Sequence, residues 1–168
     1  MKLAIVGLGG SYSDYVAARI RSEHFDEVWG INCVGGIIHV DKTIMMDPVS
    51  RFLDSDDAGS QTGIARKFLE KNTKPIITCE MDSRVKHLEL YPLEAVIKDL
   101  NVCYFNNTVP YAIAYAIYYG VKELCLYGLD YTYKNVSMAE AGRACTEFWC
   151  AIATTRGIKI EVAHSSGL

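Results

Sequence analysis

The chain has 168 residues, a formal net charge of −3 and half of its residues apolar, enough for a single packed domain over residues 1–168. The acidic balance, with a pI of about 5.8, gives no basic footprint for a nucleic-acid partner, and the longest apolar run, around residues 109–119, is too short for a membrane span. Six cysteines, with no CxxC pair and no leader segment, read as buried free thiols of a cytoplasmic protein rather than a disulfide framework.

Lys2–Val6 reads as a short buried strand, followed by Gly7-Leu-Gly-Gly-Ser11 and a helix from Tyr12 to Ile20 capped by Ser11 or Ser13. A strand, a glycine turn and a helix N-terminus together bind anions, because the glycines let backbone amides approach the ligand and the helix dipole favours negative charge. The alternative is a tight turn with no ligand. The dinucleotide fingerprint G-x-G-x-x-G is half met: Gly7 and Gly9 fit, but Tyr12 stands at the third position. The second strand, Glu27–Asn32, also ends in Asn32 instead of an acidic residue. The pattern argues against a nicotinamide dinucleotide and leaves a phosphate or nucleotide at Gly9, Gly10 and Ser11. Asn32 itself stands where ligand-contacting residues collect, or serves a turn.

Cys33–Gly36 reads as a flexible connection. Thr43–Met46 is a strand ending in Asp47-Pro48, which puts Asp47 at another carboxyl end. His39 has no visible partner and reads as structural. Val49–Asp57 is a short helix followed by loop, and Ala58–Gly63 looks mobile. Thr62–Lys71 is an amphipathic helix with Ile64, Phe68 and Leu69 turned inward. Pro75–Cys79 forms the next strand, residues 81–90 a solvated charged stretch, Tyr91–Leu100 a helix and Val102–Phe105 a further strand.

Val109–Tyr119 carries no charge and is apolar all round, so a helix here is buried on most sides. Thr108 caps it, Pro110 fits its first turn and Gly120 its stop. Glu123–Tyr127 is a buried strand that opens into Gly128-Leu-Asp130 and the polar, aromatic loop Tyr131–Asn135. A helix from Ser137, with Glu140 completing a capping box, runs to Arg156. Ile158–Val162 alternates as a half-buried edge strand, and Ala163–Ser166 is its tip.

Strands and helices alternate throughout. The fold class that follows is α/β: a three-layer, Rossmann-like arrangement of a mostly parallel sheet with helices on both faces. The polar tips then share one edge: Gly9, Gly10, Ser11, Asn32, Asp47, Glu80, Asn106, Asn107, Thr108, Gly128, Asp130 and His164. Asp130, at the tip of the most buried strand, is the candidate general base, since apolar surroundings would raise a carboxyl pKa toward a useful value. The alternative is a turn or cap. Tyr131 and its neighbour Tyr133 could stack on a base or line a homodimer face.

The residues Asn107-Thr-Val-Pro110, the alanine-rich helix behind them and Gly120-Val-Lys-Glu-Leu-Cys-Leu-Tyr-Gly-Leu-Asp130 resemble the core of a Rossmann-like transferase group. That group comprises the archaeal 6-hydroxymethylpterin diphosphokinase family (domain of unknown function 115) and the related bacterial sialyltransferases. Val6-Gly-Leu-Gly-Gly-Ser11 is similar to the group's G-x-G-P-S turn, with Gly10 in place of the proline. Asn32 and Asp47-Pro48 resemble its asparagine after the second strand and its later Asp-Pro. The resemblance covers residues 1 to about 135. It implies a nucleotide held by Gly9, Gly10 and Ser11 with Asn32 near the base or sugar. It further implies Thr108 on the nucleotide side, and Gly128 and Asp130 on the substrate side; Asn107 and Asp47 join them as candidate ligand-binding residues. The sialyltransferases' catalytic histidine has only His87 and His164 as candidate counterparts. Two functions follow. One is a small transferase using a nucleotide sugar or a nucleoside triphosphate, the latter with Mg²⁺ on Asp47 and Asp130. The other is a non-catalytic protein that binds a nucleotide-derived ligand, favoured by the short chain, the lack of room for a lid and the unassigned histidine.

Overall fold

Burial on both faces of the central strands dictates the architecture. In β1 (Lys2–Val6), Leu3, Ala4, Ile5 and Val6 are all fully buried, which only a strand covered on both sides achieves. The computed structural model describes the backbone of residues 1–168 and every side chain except that of Ser60. It places β1 in a seven-stranded sheet with β2 (Glu27–Ile31), β3 (Lys42–Met45), β4 (Ile76–Thr78), β5 (Leu88–Leu90), β6 (Glu123–Tyr127) and β7 (Lys159–Val162). The order is β5-β4-β3-β2-β1-β6-β7 and every pairing is parallel.

The alternation of side chains sorts the helices into two layers. Leu3 and Ile5 of β1 share a core with α4 (Leu93–Leu100), α5 (Thr108–Tyr118) and α6 (Val136–Thr155). Ala4 and Val6 face α1 (Tyr12–Ile20). Met45 and Ile76 face α2 (Val49–Asp54) and α3 (Ser60–Lys71) on that same side. The result is the three-layer α/β fold read from the sequence. Helix α5 lies against the sheet between α4 and α6, which is why it lacks a polar stripe: Ala112, Ile113, Ala114 and Ala116 are fully buried.

The departures from expectation have local causes. Val102–Phe105 is not a strand. It lies against α6, and the carbonyl of Tyr104 accepts from Trp149 Nε1 at 2.7 Å and from Cys145 Sγ at 3.5 Å, so side chains replace a ladder partner. The missing strand is β5, in the stretch read as solvated. It is an edge strand with only Leu88 buried, so its composition looks like loop. Cys33–Gly36 belongs to a 3₁₀ turn, Asn32–Gly36, and Gly59–Gln61 opens α3, whose Ile64 is exposed while Ala65, Phe68 and Leu69 face the core. Asn107 caps α5 by accepting from Val109 N–H at 3.0 Å, in place of Thr108. Asn135 caps α6 by accepting from Met138 N–H at 3.1 Å, in place of the Ser137–Glu140 box. All six cysteines are free, but only Cys125 and Cys145 are buried, whereas Cys79 and Cys103 are exposed. Among the described residues, no helix is long and apolar enough to cross a membrane.

Trp149 joins α6 to the crossover segment. It is fully buried and stacks on Phe105 with ring centroids 5.1 Å apart. Replacing it with Phe keeps an aromatic surface and loses the bond to Tyr104; the expected cost is about 1–2 kcal/mol. Trp149→Ala also opens a cavity and is expected to cost about 3–5 kcal/mol. Urea unfolding of the two variants checks the difference, and equal losses would mean that the stack contributes little.

Candidate functional site

The strand order reverses direction at β1. From there the chain steps outward through β2 to β5, then returns to place β6 on the other side of β1. The loop after β1 leads into α1 on one face and the loop after β6 leads toward α6 on the other. Their divergence opens a crevice at the carboxyl ends, the place where open α/β sheets hold ligands.

The floor of this crevice is a tight crossing of two backbones. Gly7 N–H donates to the Tyr127 carbonyl and Gly9 N–H to the Gly128 carbonyl, both at 2.8 Å. A Cβ at Gly128 would lie 2.2 Å from the Gly7 oxygen, and Gly128 has φ +67°; no other residue fits there without displacing backbone. Ser11 and Asp130 lock the crossing. Asp130 is buried. One carboxylate oxygen accepts from Ser11 N–H at 2.7 Å and the other from the Ser11 hydroxyl, which itself accepts from Gly128 N–H at 2.8 Å. Ser11 stands at the N-cap position of α1 without capping it through its own side chain. The capping anion is the carboxylate of Asp130, supplied from across the crevice.

A third set of bonds fixes the wall on the α6 side. Tyr131, at φ +53°, directs its ring against Gly142, where a Cβ would approach to 2.6 Å. Its hydroxyl bonds Thr146 and donates to Asn107 Oδ1 at 3.2 Å. Burial pushes the Tyr131 phenol above its usual range, so it stays protonated. Asn106 Nδ2 donates to the Ala141 carbonyl at 2.8 Å.

Above the floor lies a cavity of about 490 Å³ lined by the Gly7–Gly9 turn, Asn32 and Cys33, Gln61 and Ile64 of α3, Val109 and the segment Gly128–Tyr133. A side cavity of about 290 Å³ shares Asn32, Cys33 and Gln61 with it and extends to Asp47, Arg51 and Asp57. Of the residues singled out in the sequence, Gly9, Asn32, Gly128, Asp130 and Tyr131 line the main cavity, and Asn32 and Asp47 the side cavity. Gly10, Ser11, Asn107 and Thr108 support the walls without lining either cavity, although Thr108 Oγ1 lies 3.5 Å from Asn32 Oδ1. Glu80, Asn106 and all four histidines also stand outside both linings, and the histidines are exposed. Leu8, Gln61 and Arg51 were not among the candidate site residues, and Ile64, expected to face the core, is exposed and lines the main cavity instead. Leu8 sits inside the glycine turn and was open to notice; Gln61 and Ile64 depend on where α3 begins.

The chemistry on offer is specific. Asp130 is the only charged side chain lining the main cavity among the described residues. Burial pushes the Cys33 thiol up to about 11, so it is protonated and unreactive near neutral pH. Asp47 and Asp130, read together as Mg²⁺ ligands, line different cavities and are each engaged within the chain: Asp47 accepts from Arg51 Nη1 at 2.7 Å, and both Asp130 oxygens are bonded by Ser11. The group of metal-type side chains that does cluster, Glu23, Cys125 and Glu161, lies on the α1 side of the sheet, with Lys2 Nζ bonded to Glu23 at 2.8 Å.

This arrangement is built on a known fold. The structure is similar to that of the sialyltransferase CstII from Campylobacter jejuni in complex with the substrate analogue CMP-3FNeuAc, with a TM-score of 0.60 and 19% identity over 96% of this chain and 79% of that one. A structure of the sialyltransferase CST-II in complex with a trisaccharide acceptor and CMP gives a TM-score of 0.58 and 17% identity, over 97% and 81% of the two chains. No protein-family model matches the sequence, so the pterin diphosphokinase side of the resemblance finds no match, and no curated protein matches it. At these identities the likeness is one of fold.

Ser11→Ala and Asp130→Asn should each destabilise the chain by about 1–3 kcal/mol, because each leaves a buried polar group short of its partner. The double variant should lose less than the sum. Denaturant unfolding of the three proteins checks this, and additive losses would mean that the two side chains do not act as a pair.

Proposed function

We propose that the chain is a small transferase that binds a nucleotide sugar in the crevice between β1 and β6. The observation that carries this reading is the cavity at the strand-order reversal, which joins an apolar wall (Leu8, Ile31, Ile64, Val109, Leu129) to the glycine turn and to the polar groups of Asn32, Tyr131 and Thr132. The apolar part suits a base, and the amide of Leu8, which lines the cavity and meets no protein acceptor among the described residues, suits a phosphate oxygen.

Charge separates the donor classes. No Lys or Arg lines the main cavity among the described residues, and the N-terminus of α1 already holds the Asp130 carboxylate. A nucleoside triphosphate would bring several negative charges to a site with no cation and no fitting metal ligands. A nucleotide sugar, whose phosphates are esterified, brings fewer. The neighbours of like fold were solved with CMP or a CMP-sugar analogue, which agrees with this choice. Six free cysteines agree with a cytoplasmic setting.

A second reading, binding without turnover, is favoured by one observation. Both oxygens of Asp130 already bond Ser11, and among the described residues no histidine lines the cavity, so those residues present no unengaged base. Asp130 then acts as the clamp of the crevice, and its sequence-derived assignment as base becomes a matter for turnover measurement.

Thermal unfolding with CMP, UMP, AMP, GMP and their sugar conjugates tests the binding common to both readings. A ligand at one hundred times its Kd should stabilise the protein by about 2.7 kcal/mol, and absence of any shift would rule out a nucleotide site. Release of nucleotide from the bound conjugate then separates the readings. If Asp130 is the base, Asp130→Asn, assayed well below its melting temperature, binds the conjugate and does not release nucleotide.

A further inference from the structure

The side cavity has a charge pattern that the nucleotide reading does not use. It is lined by Asn32, Cys33, Asp47, Arg51, Phe52, Asp57, Ala58, Gln61 and Ala65, and it opens into the main cavity through Asn32, Cys33 and Gln61. Arg51 is the one cation lining it among the described residues, and two carboxylates share that cation. Its Nη1 donates to Asp47 at 2.7 Å and its Nε approaches both oxygens of Asp57 at 3.3 Å. The nearby arginines are engaged as well: Arg66 with Asp56 at 3.0 Å, and Arg84 with Asp54 at 2.5 Å and Asp82 at 2.6 Å. Two carboxylates against one guanidinium leave this cavity net negative, with the charge of its one lining arginine already offset.

Hydrogen-bonding capacity remains. Asp47 uses one oxygen for Arg51, and the amide nitrogen of Asn32 and the side chain of Gln61 have no protein partner among the described residues. A space of about 290 Å³ with unengaged carboxylate and amide groups matches the hydroxyls of a monosaccharide, since ionised carboxylates accept strongly from O–H donors. A carboxylate on that sugar would instead meet Asp47 and Asp57 as like charges, and would compete with both for an Arg51 charge that they already offset, with only Nη2 left unengaged among the described residues.

From this juxtaposition we propose that the side cavity is the sugar subsite of the donor and selects an uncharged or amino sugar over an acidic one, with the Asp47–Arg51–Asp57 group as the selecting element. The inference rests on the nucleotide-sugar reading and narrows its substrate class. It also sets this chain apart in chemistry from the neighbours of like fold, one of which was solved with an acidic-sugar analogue, CMP-3FNeuAc.

Matched ligands test it. Calorimetric affinities are measured for free nucleotides and for UDP-, GDP- and ADP-linked sugars in pairs that differ only by a sugar carboxylate, such as UDP-glucose against UDP-glucuronate. CMP is set against CMP-N-acetylneuraminate. For the nucleoside that binds, the neutral conjugate should bind about tenfold tighter than its acidic partner, and if that nucleoside is cytidine, CMP-N-acetylneuraminate should bind more weakly than CMP. In the variant carrying Asp47→Asn and Asp57→Asn, Arg51 is released from both carboxylates and the discrimination should fall below about threefold or reverse. A nucleotide that binds while its acidic conjugate binds as tightly as the neutral one, or better, overturns the inference and leaves the nucleotide site standing. Discrimination that survives intact in the double variant overturns the role of the Asp47–Arg51–Asp57 group. If no nucleotide binds at all, both readings fall together.

Discussion

The carboxylate of Asp130, buried against Ser11, is the interaction on which the functional half of the molecule depends. Two strands that lie side by side send their following loops to opposite faces of the sheet, and nothing in sheet pairing alone holds those loops together beyond the last ladder bond. Here a carboxylate from one loop accepts both donors of Ser11, its N–H and its hydroxyl, while the Ser11 hydroxyl accepts from Gly128 N–H. A buried carboxylate without partners would be costly. With three mutually satisfied groups it becomes a rigid junction, and the same arrangement supplies the anion that the N-terminus of α1 would otherwise seek from a ligand.

That junction has consequences further along the chain. Fixing Asp130 fixes where residue 131 begins, and Tyr131 then turns through a left-handed conformation to place its ring over Gly142 and its hydroxyl between Asn107 and Thr146. The carboxyl end of β6, the first turn of α5 and the middle of α6 are therefore one connected wall. The opposite wall, Gln61 and Ile64 of α3, is solvent-exposed and carries no such bonds among the described residues. One side of the cavity is braced and the other is lightly held, which places any adjustment to a ligand on the α3 side.

The sequence disclosed the fold wherever burial was two-sided. Leu3 to Val6, Leu124 to Tyr127 and the uncharged helix α5 have compositions that only a covered parallel sheet and a flanked helix explain. It failed where burial was one-sided or borrowed. Leu88–Leu90 pairs along only one edge and so keeps polar residues, whereas Val102–Phe105 has the apolar character of a strand but spends it on α6. Caps were misassigned by one or two residues at α5 and α6 because Asn107 and Asn135 compete with hydroxyl residues of similar capping strength. The cluster of candidate site residues was legible as a set of strand tips, since a parallel sheet must gather them on one edge. Which tips face the cavity and which brace it was not legible: Ser11, Asn107 and Thr108 are drawn into the walls by partners 119, 24 and 76 positions away in the chain.

Asp47 and Asp130 show why position in the fold does not convey chemistry. Both are aspartates just beyond the carboxyl end of a parallel strand. Asp130 is buried, its two oxygens held by one serine, and it works as a covalent link would, joining two loops. Asp47 is partly exposed, shares Arg51 with Asp57 and keeps an oxygen for something else. The difference arises from what the neighbouring element brings: a serine at the start of a helix in one case, an arginine one helical turn away in the other. Sheet order and glycine crossings tolerate wide sequence divergence because they are demands on backbone and apolar burial, which agrees with a shared fold at 19% identity. Selectivity depends on whether each charged group at the strand tips has already found its partner within the chain, and so can differ between proteins of the same architecture.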